Sequence, residues 1–343
     1  MEMLNGRFRP SEQSQTSDAR EIDGVIEEAK KWLSNQQAED GHWAFELEAD
    51  ATIPAEYIFI NHFLGAIDDE VELKLANYLR RIAVAEAPKA DLATLASMAS
   101  HSRAIAFENF DVVQRKPISM APADVERKLV DEGRGGYCWE QNQLLHMALE
   151  EIGFDVKPLM CRVRWGKPDD SAEPNTTFTH MALNVATEKG PYLADVGFAG
   201  TNSMAPVALG VGAEPQALPE GTYQVVPSKH ESFHVLELQI KGEWRPLYEW
   251  RDEKAPFVDM ECSNFFSYAY PKARFTTQFF CTRIIGDERH HILNGDYVVR
   301  KGHGVESTVT TTKVESKAQL LTLIDEVFGV KLTDTESGID RYL

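Results

Sequence analysis

Several things are scarce in this chain, and each scarcity excludes something. Only four cysteines occur among 343 residues: Cys138, Cys161, Cys262 and Cys281, with no CxxC pair and no metal-ligand spacing. That pattern excludes a disulfide framework and a Cys-rich metal domain, and it fits a reducing cytosol better than secretion. Long apolar runs are missing: none approaches the ~18 residues of a membrane span. The opening Met-Glu-Met-Leu-Asn-Gly-Arg holds no apolar core of the signal-peptide kind. Positive charge is short as well, with 35 bases against 54 acids and a net charge of -19. Such a balance argues against nucleic-acid binding. The expectation is a soluble cytoplasmic protein with neither nucleic acid nor membrane as partner. There is no internal repeat and no low-complexity tract.

What is present suffices for a sizeable core: 43% of residues are hydrophobic. The length suggests two or three domains. The acid excess is uneven, because residues 1–77 carry 17 acids against 6 bases.

The chain begins polar, then turns helical. Ile22, Val25, Ile26, Ala29, Trp32 and Leu33 recur at helical spacing. Pro54 suits the first turn of a short helix closed by Gly65, and Asp68 caps a third. Helical texture continues from 91, and Pro122 opens a segment running to about Val130. A loop over Asp131–Tyr137 precedes a strong helix with Leu144, Leu145, Ala148, Leu149 and Ile152 as its stripe and Gly153 as its stop. Strands are then expected at Val156–Trp165, His180–Ala186, Pro191–Phe198, Tyr223–Val226 and His234–Ile240. More strand-like runs lead to a last helix, Lys317–Phe328.

Two observations carry chemistry. Cys138 follows Gly135 and Gly136 at a helix start, where unpaired N–H groups and the helix dipole favour a thiolate. The glycines would let a substrate carbonyl approach. An isolated cysteine is more often inert core, and this placement brings the two readings level. His180 and Asp195 lie on strands joined by Thr187-Glu188-Lys189-Gly190. If residue 186 faces 191, then 182 faces 195, and His180 shares a face with Asp195. Such diagonal neighbours are roughly 7 Å apart at the backbone, within reach of a carboxylate–imidazole contact. Nucleophile, base and orienter would then be Cys138, His180 and Asp195.

Here the sequence resembles the arylamine N-acetyltransferases. The matching stretches are Arg-Ala-Ile-Ala-Phe-Glu-Asn-Phe-Asp (103–111), Arg-Gly-Gly-Tyr-Cys-Trp-Glu (134–140), Arg-Val-Arg-Trp (162–165), Thr-His-Met-Ala-Leu (179–183) and Leu-Ala-Asp-Val-Gly-Phe (193–198). Trp-Arg-Pro-Leu-Tyr (244–248) and Leu-Asn-Gly (293–295) also fit. The resemblance covers about 78–343. It implies acetyl-CoA as acyl donor, no permanently bound cofactor or metal, and an acetyl-cysteine thioester passed by ping-pong kinetics to arylamines, arylhydroxylamines or hydrazines, in xenobiotic metabolism. It implies that Phe107 lines the acceptor pocket and that Gly197, Phe198, Gly200 and Thr201 border the coenzyme cleft. The implied fold is α+β: a helical bundle (78–165), a β-barrel (166–276) and an α/β lid (277–343) of the cysteine-protease-like kind. Ala106 stands where the family often has Pro, Ala199 where it often has Gly, and Tyr-Pro-Lys-Ala-Arg-Phe (270–275) where His-Pro-x-Ser-x-Phe is usual.

Residues 1–77 carry a second resemblance. Gln-Ala-Glu-Asp-Gly-His-Trp (37–43) and the stretch Phe45–Tyr57 are similar to the N-terminal end of squalene–hopene cyclases. The acidic DxDD motif of those enzymes is absent, so no cyclase activity is inferred. The expectation is an α-helical extension that packs on the transferase or mediates association, with a homo-oligomer left open. Competing readings are an amide-forming acyltransferase using another donor, a cysteine hydrolase, and a catalytically dead interaction module. The basic residues of 157–167 are expected on a solvated strand edge, His290-His291 in a surface turn, and Cys161, Cys262 and Cys281 in core or strand.

Overall fold

The structure is a computed structural model of the chain. The chain divides into two units, Met1–Ala87 and Pro88–Leu343. The described residues are those of the second unit, excepting 168–175, 202, 211–213, 303–306, 333–338, 340, 341 and 343. The helices expected over 22–33, 54–65 and from Asp68 lie outside the described residues.

The second unit opens with α1 (Leu92–Met98), whose start is capped by Asp91 accepting the Thr94 N–H at 2.9 Å. A two-residue strand β1 (Phe107–Glu108) and helix α2 (Phe110–Val113) follow. Pro122 sits in the first turn of α3 (Pro122–Glu126), as expected. Instead of continuing as one α-helix to Val130, the chain widens into a π turn over Arg127–Asp131. Helix α4 (Cys138–Ile152) starts at the cysteine and ends on Gly153 at φ 101°. Only Leu145 and Leu149 of the expected stripe are fully buried; the first six residues of α4 are buried all round. This end of the helix is therefore enclosed by the fold and not half exposed.

Eight antiparallel strands make the second layer, in the order β5-β4-β3-β2-β9-β8-β7-β6. They are β2 (Val156–Val163), β3 (Phe178–Thr187), β4 (Gly190–Ala194), β5 (Val207–Ala208), β6 (Gln216–Leu218), β7 (Gly221–Pro227), β8 (His234–Ile240) and β9 (Glu243–Trp250). A side chain joins the two free ends. Gln216 of β6 accepts the Ala208 N–H of β5 at 2.8 Å and donates to the Ala208 carbonyl at 3.1 Å. The amide stands in for a strand pairing and nearly closes the sheet into a barrel, which removes exposed edges. Leu159, Leu193, Tyr223, Leu236, Tyr248 and Trp250 fill its core. Each such large side chain contributes about 1.5–3 kcal/mol through burial.

After the barrel comes a helix that sequence reading did not anticipate, α5 (Phe257–Ala269), then α6 (Arg274–Thr277). Its Phe, Val and Tyr content reads as strand. Yet Met260, Asn264 and Ser267 are buried at helical spacing, so packing overrides propensity. A five-stranded antiparallel sheet completes the unit: β1, then β10 (Phe280–Ile285), β11 (Glu288–Leu293), β12 (Asp296–Lys301) and β13 (Thr308–Lys313). Helix α7 (Lys317–Glu326) covers it, capped by Ser316, with Leu320 and Ile324 packed beside Phe110, Phe279 and Ile292. The unit is thus α+β: helices, a nearly closed barrel, and a sheet with a covering helix.

Strand β1 ties the pieces together. It pairs with β10 on one side and bridges Gly136 on the other. The segment before Cys138 is thereby joined to the third layer through the backbone.

Candidate active site

Cys138 is positioned by a chain of buried charges. Glu108 meets Arg134 at 2.9 Å, Arg134 meets Asp111 at 3.2 Å, and Lys128 meets both Asp111 and Glu140 at 2.6 Å. Glu140 then accepts the Tyr137 N–H at 3.1 Å, just ahead of the cysteine. Burial pushes the Glu140 carboxyl up, against the opposing pull of Lys128. Gly135 is required for closeness: a Cβ there would lie 2.4 Å from the Ala106 carbonyl oxygen. A Cβ on Gly136 would lie 2.8 Å from a Glu140 carboxylate oxygen. The room these glycines leave on the Cβ side is filled by the protein itself.

The β3–β4 hairpin has the anticipated register, with Ala186 opposite Pro191 and Leu183 opposite Ala194. The strand ends at Ala194 and not at Phe198. Past that point the backbone bonds locally: Asp195 Oδ1 accepts the Gly197 N–H at 2.8 Å, and Asn142 accepts the Val196 N–H at 3.0 Å. Asp195 Oδ2 still reaches His180 Nε2 at 2.7 Å. With Nε2 bonded to a carboxylate, Nδ1 is the ring nitrogen left to take a proton. Phe198 and Tyr248 pack on the imidazole at centroid distances of 5.0 and 4.8 Å. Cys138 Sγ lies 3.6 Å from the carbonyl of Thr179, the residue before His180.

Asn142 was missed by sequence reading. It donates to Asp195 Oδ1 at 2.9 Å and to the Met181 carbonyl at 2.7 Å. Its position four residues after Cys138, on the same helix face, was the available signal. Tyr248, the other neighbour, comes from β9 and lies in the stretch Trp244–Tyr248, whose place beside His180 the sequence did not give.

Electrostatics set the proton inventory. Burial pushes Asp195 up, but His180 and the hydrogen bonds from Asn142 and Gly197 outweigh it and hold the carboxyl below its usual range. Burial pushes the Cys138 thiol well up and Asp195 adds to this, while the N–H groups of Trp139 and Cys138 pull weakly the other way. The helix start does not by itself make a thiolate here, because desolvation is larger.

The remaining expected positions are placed as follows. Gly197 lies against Cys138, where a Cβ would sit 2.7 Å from the Cys138 Cα. Ala199 adopts φ 53° in the turn Ala199–Thr201. This left-handed conformation costs an alanine roughly 1–2 kcal/mol. The Thr201 carbonyl accepts the Tyr223 hydroxyl at 3.2 Å. Phe107 lies 5.9 Å from Phe275, which also meets Tyr137 at 5.3 Å and Phe280 at 5.6 Å.

Three other expectations need correction. Arg164 is buried, bonded to Glu249 at 2.9 Å, and Arg162 stacks over Phe178, so these bases are not a solvated edge. His290 and His291 lie within β11 and not in a turn. Cys161 and Cys281 are buried, whereas Cys262 is exposed on α5. Among the described residues no group of His, Cys, Asp or Glu is arranged to hold a metal, and no helix is long and apolar enough to cross a membrane.

A cysteine at a helix start beside a His–Asp pair on a barrel is the layout of enzymes that move acyl groups through a thioester. Comparison with known proteins narrows the class. A family profile described as N-acetyltransferase matches residues 91–337. The arylamine N-acetyltransferase of Mycolicibacterium smegmatis is 35% identical over 264 residues, covering 76% of this chain and 94% of that one. A solved structure of M. smegmatis arylamine N-acetyltransferase superposes with a TM-score of 0.70 at 33% identity, over 78% of this chain and 97% of that one. The Mycobacterium marinum enzyme, solved in complex with CoA, gives 0.69 at 29% identity, over 77% and 98%. The chain therefore belongs to the arylamine N-acetyltransferase family and is an acyltransferase. Residues 26–88 match a second profile, the squalene–hopene cyclase N-terminal domain. There the cyclase of Zymomonas mobilis is 54% identical over 63 residues, only 10% of its length.

Proposed function

We propose that this enzyme transfers acetyl from acetyl-CoA to arylamines, arylhydroxylamines and hydrazines, with Cys138 as nucleophile, His180 as base and Asp195 as orienter. The supporting observation is the 2.7 Å His180–Asp195 hydrogen bond, set beside a cysteine whose thiol is held protonated. His180 Nδ1 takes the thiol proton as Sγ attacks the acetyl carbonyl. The C–S bond to Cys138 forms, the bond to coenzyme sulfur breaks, and His180 returns the proton to the leaving thiolate. The acceptor nitrogen then attacks the thioester and gives its proton to His180, the C–S bond breaks to free the acetylated product, and His180 returns the proton to the Cys138 thiolate. Asp195 holds the imidazole tautomer and steadies its charged form. In this reading Phe107, Phe275 and Phe280 border the acceptor, while Gly197, Phe198, Gly200 and Thr201 border the coenzyme. The enzyme would act in the cytoplasm on xenobiotic amines.

The division at 165/166 and 276/277 stands as a working one, with β2 lent to the barrel by the preceding segment. Residues 1–77 are proposed to mediate association, without cyclase chemistry. Deleting them and finding oligomeric state, solubility and turnover unchanged overturns that role.

The deciding experiment incubates the protein with acetyl-CoA alone and weighs it. One acetyl group on Cys138, lost on adding an aromatic amine and absent from Cys138→Ala, is expected. Free-thiol release by Cys138→Ala at the wild-type rate overturns the proposal.

A further inference from the structure

Arg289 belongs to β11 in the third layer, yet its side chain works in the barrel. It is buried, and its guanidinium donates to the carbonyl of Gly200. It also contacts the hydroxyl of Tyr223, which donates to the next carbonyl, that of Thr201. Its charge faces Glu220, whose side chain is 5% exposed and lies 3.8 Å from Arg103 of the helical segment. One buried acid thus meets cations from two other parts of the unit.

The turn these groups hold is the one with an alanine in a left-handed conformation, Ala199 at φ 53°. A strained turn persists only where its surroundings hold it. The turn begins two residues after Gly197, which rests against the Cys138 backbone. A buried charge is costly unless it is paired and hydrogen-bonded, and here the Gly200 carbonyl and Glu220 supply those partners.

We propose that Arg289 is a positioning residue for the acyl donor: from the third layer it pins the Gly200 carbonyl and so sets the shape of the turn that borders the coenzyme. The idea rests on the assignment of 197–201 to the coenzyme side. It predicts that Arg289 governs donor affinity and leaves the thiol's own reactivity alone.

The test compares wild type with Arg289→Met, Arg289→Lys, Arg289→Met combined with Ala199→Gly, and Gly200→Val. KM for acetyl-CoA, KM for the amine and kcat are measured, together with single-turnover acetylation by p-nitrophenyl acetate, a donor with no nucleotide. Arg289→Met is expected to raise the acetyl-CoA KM about tenfold, with the other three quantities within about twofold of wild type. Arg289→Lys falls between. Ala199→Gly recovers part of the loss, because glycine adopts the turn without strain. Loss of p-nitrophenyl acetate reactivity in Arg289→Lys, or an unchanged acetyl-CoA KM in Arg289→Met, overturns the role of Arg289. If Gly200→Val raises the acetyl-CoA KM and Arg289→Met does not, the coenzyme assignment stands and only the positioning role falls. If neither moves it, both fall.

Discussion

His180 Nε2 and Asp195 Oδ2 lie 2.7 Å apart although Asp195 has already left the β4 ladder. The carboxylate is aimed by Asn142 and by the Gly197 N–H, not by strand pairing. Asp195→Asn keeps the size and loses the charge that favours the working tautomer. Acetylation of Cys138 by acetyl-CoA is expected to slow by about 10³–10⁴-fold, with the fold retained. Stopped-flow acetylation and circular dichroism check the two halves of that statement.

In the proposed mechanism Cys138 relies on His180 more than on its helix. Burial and Asp195 hold the thiol up, and the helix-start N–H groups do not offset them. His180→Gln should therefore cut iodoacetamide modification of Cys138 at pH 7 by about a hundredfold, with recovery only at alkaline pH. A neutral-pH rate equal to wild type would show a thiolate made without the imidazole.

Asn142 satisfies three buried partners at once: Asp195 Oδ1, the Met181 carbonyl and the Val196 N–H. Asn142→Ala leaves all three short of a bond in a dry site. Urea unfolding should show a loss of about 2–4 kcal/mol. Turnover should fall with it, since Asp195 loses one of its two aiming donors.

The ion-pair chain behind the nucleophile loop is sensitive to losing one member. Arg134→Met strands Glu108, whose side chain is fully buried, and weakens the hold on Asp111. A destabilisation of about 3–5 kcal/mol is expected. Adding Glu108→Gln should restore part of it. A double-mutant cycle by urea unfolding measures the coupling.

Acid should weaken the fold through Asp111 and Asp195. Burial pushes Asp111 up, but Lys128 and Arg134 outweigh it, and both carboxyls sit below their ordinary value in the folded chain. The folded state therefore holds these protons less tightly than the unfolded one. Their stabilisation is complete above the unfolded value of about 3.9 and disappears as pH falls through the folded values. Melting temperature followed from pH 6 to pH 3 should drop, and drop less steeply in Asp111→Asn.

Much of this was legible locally. The start of α4 at Cys138 and its stop at Gly153 follow from residues within a turn of each end. The four-residue link Thr187–Gly190 set the hairpin register, with Ala186 opposite Pro191 and Leu183 opposite Ala194. Strand β8 runs over the residues that alternation and its flanking turns had marked. These features depend on contacts between residues close along the chain, where periodicity and turn chemistry act.

What tertiary structure decided has the opposite character. Helix α5 defies its own strand-like composition because Met260, Asn264 and Ser267 have a core to enter. Gln216 closes the barrel, and Arg289 reaches the Gly200 carbonyl from 89 residues away. Burial by the assembled layers is what pushes the Cys138 thiol up. Sequence alone determined which groups could do chemistry and how neighbours along the chain face one another. Burial and long-range hydrogen bonds decided their charge, their partners and the shape of the turn beside them, because desolvation depends on everything packed around a group.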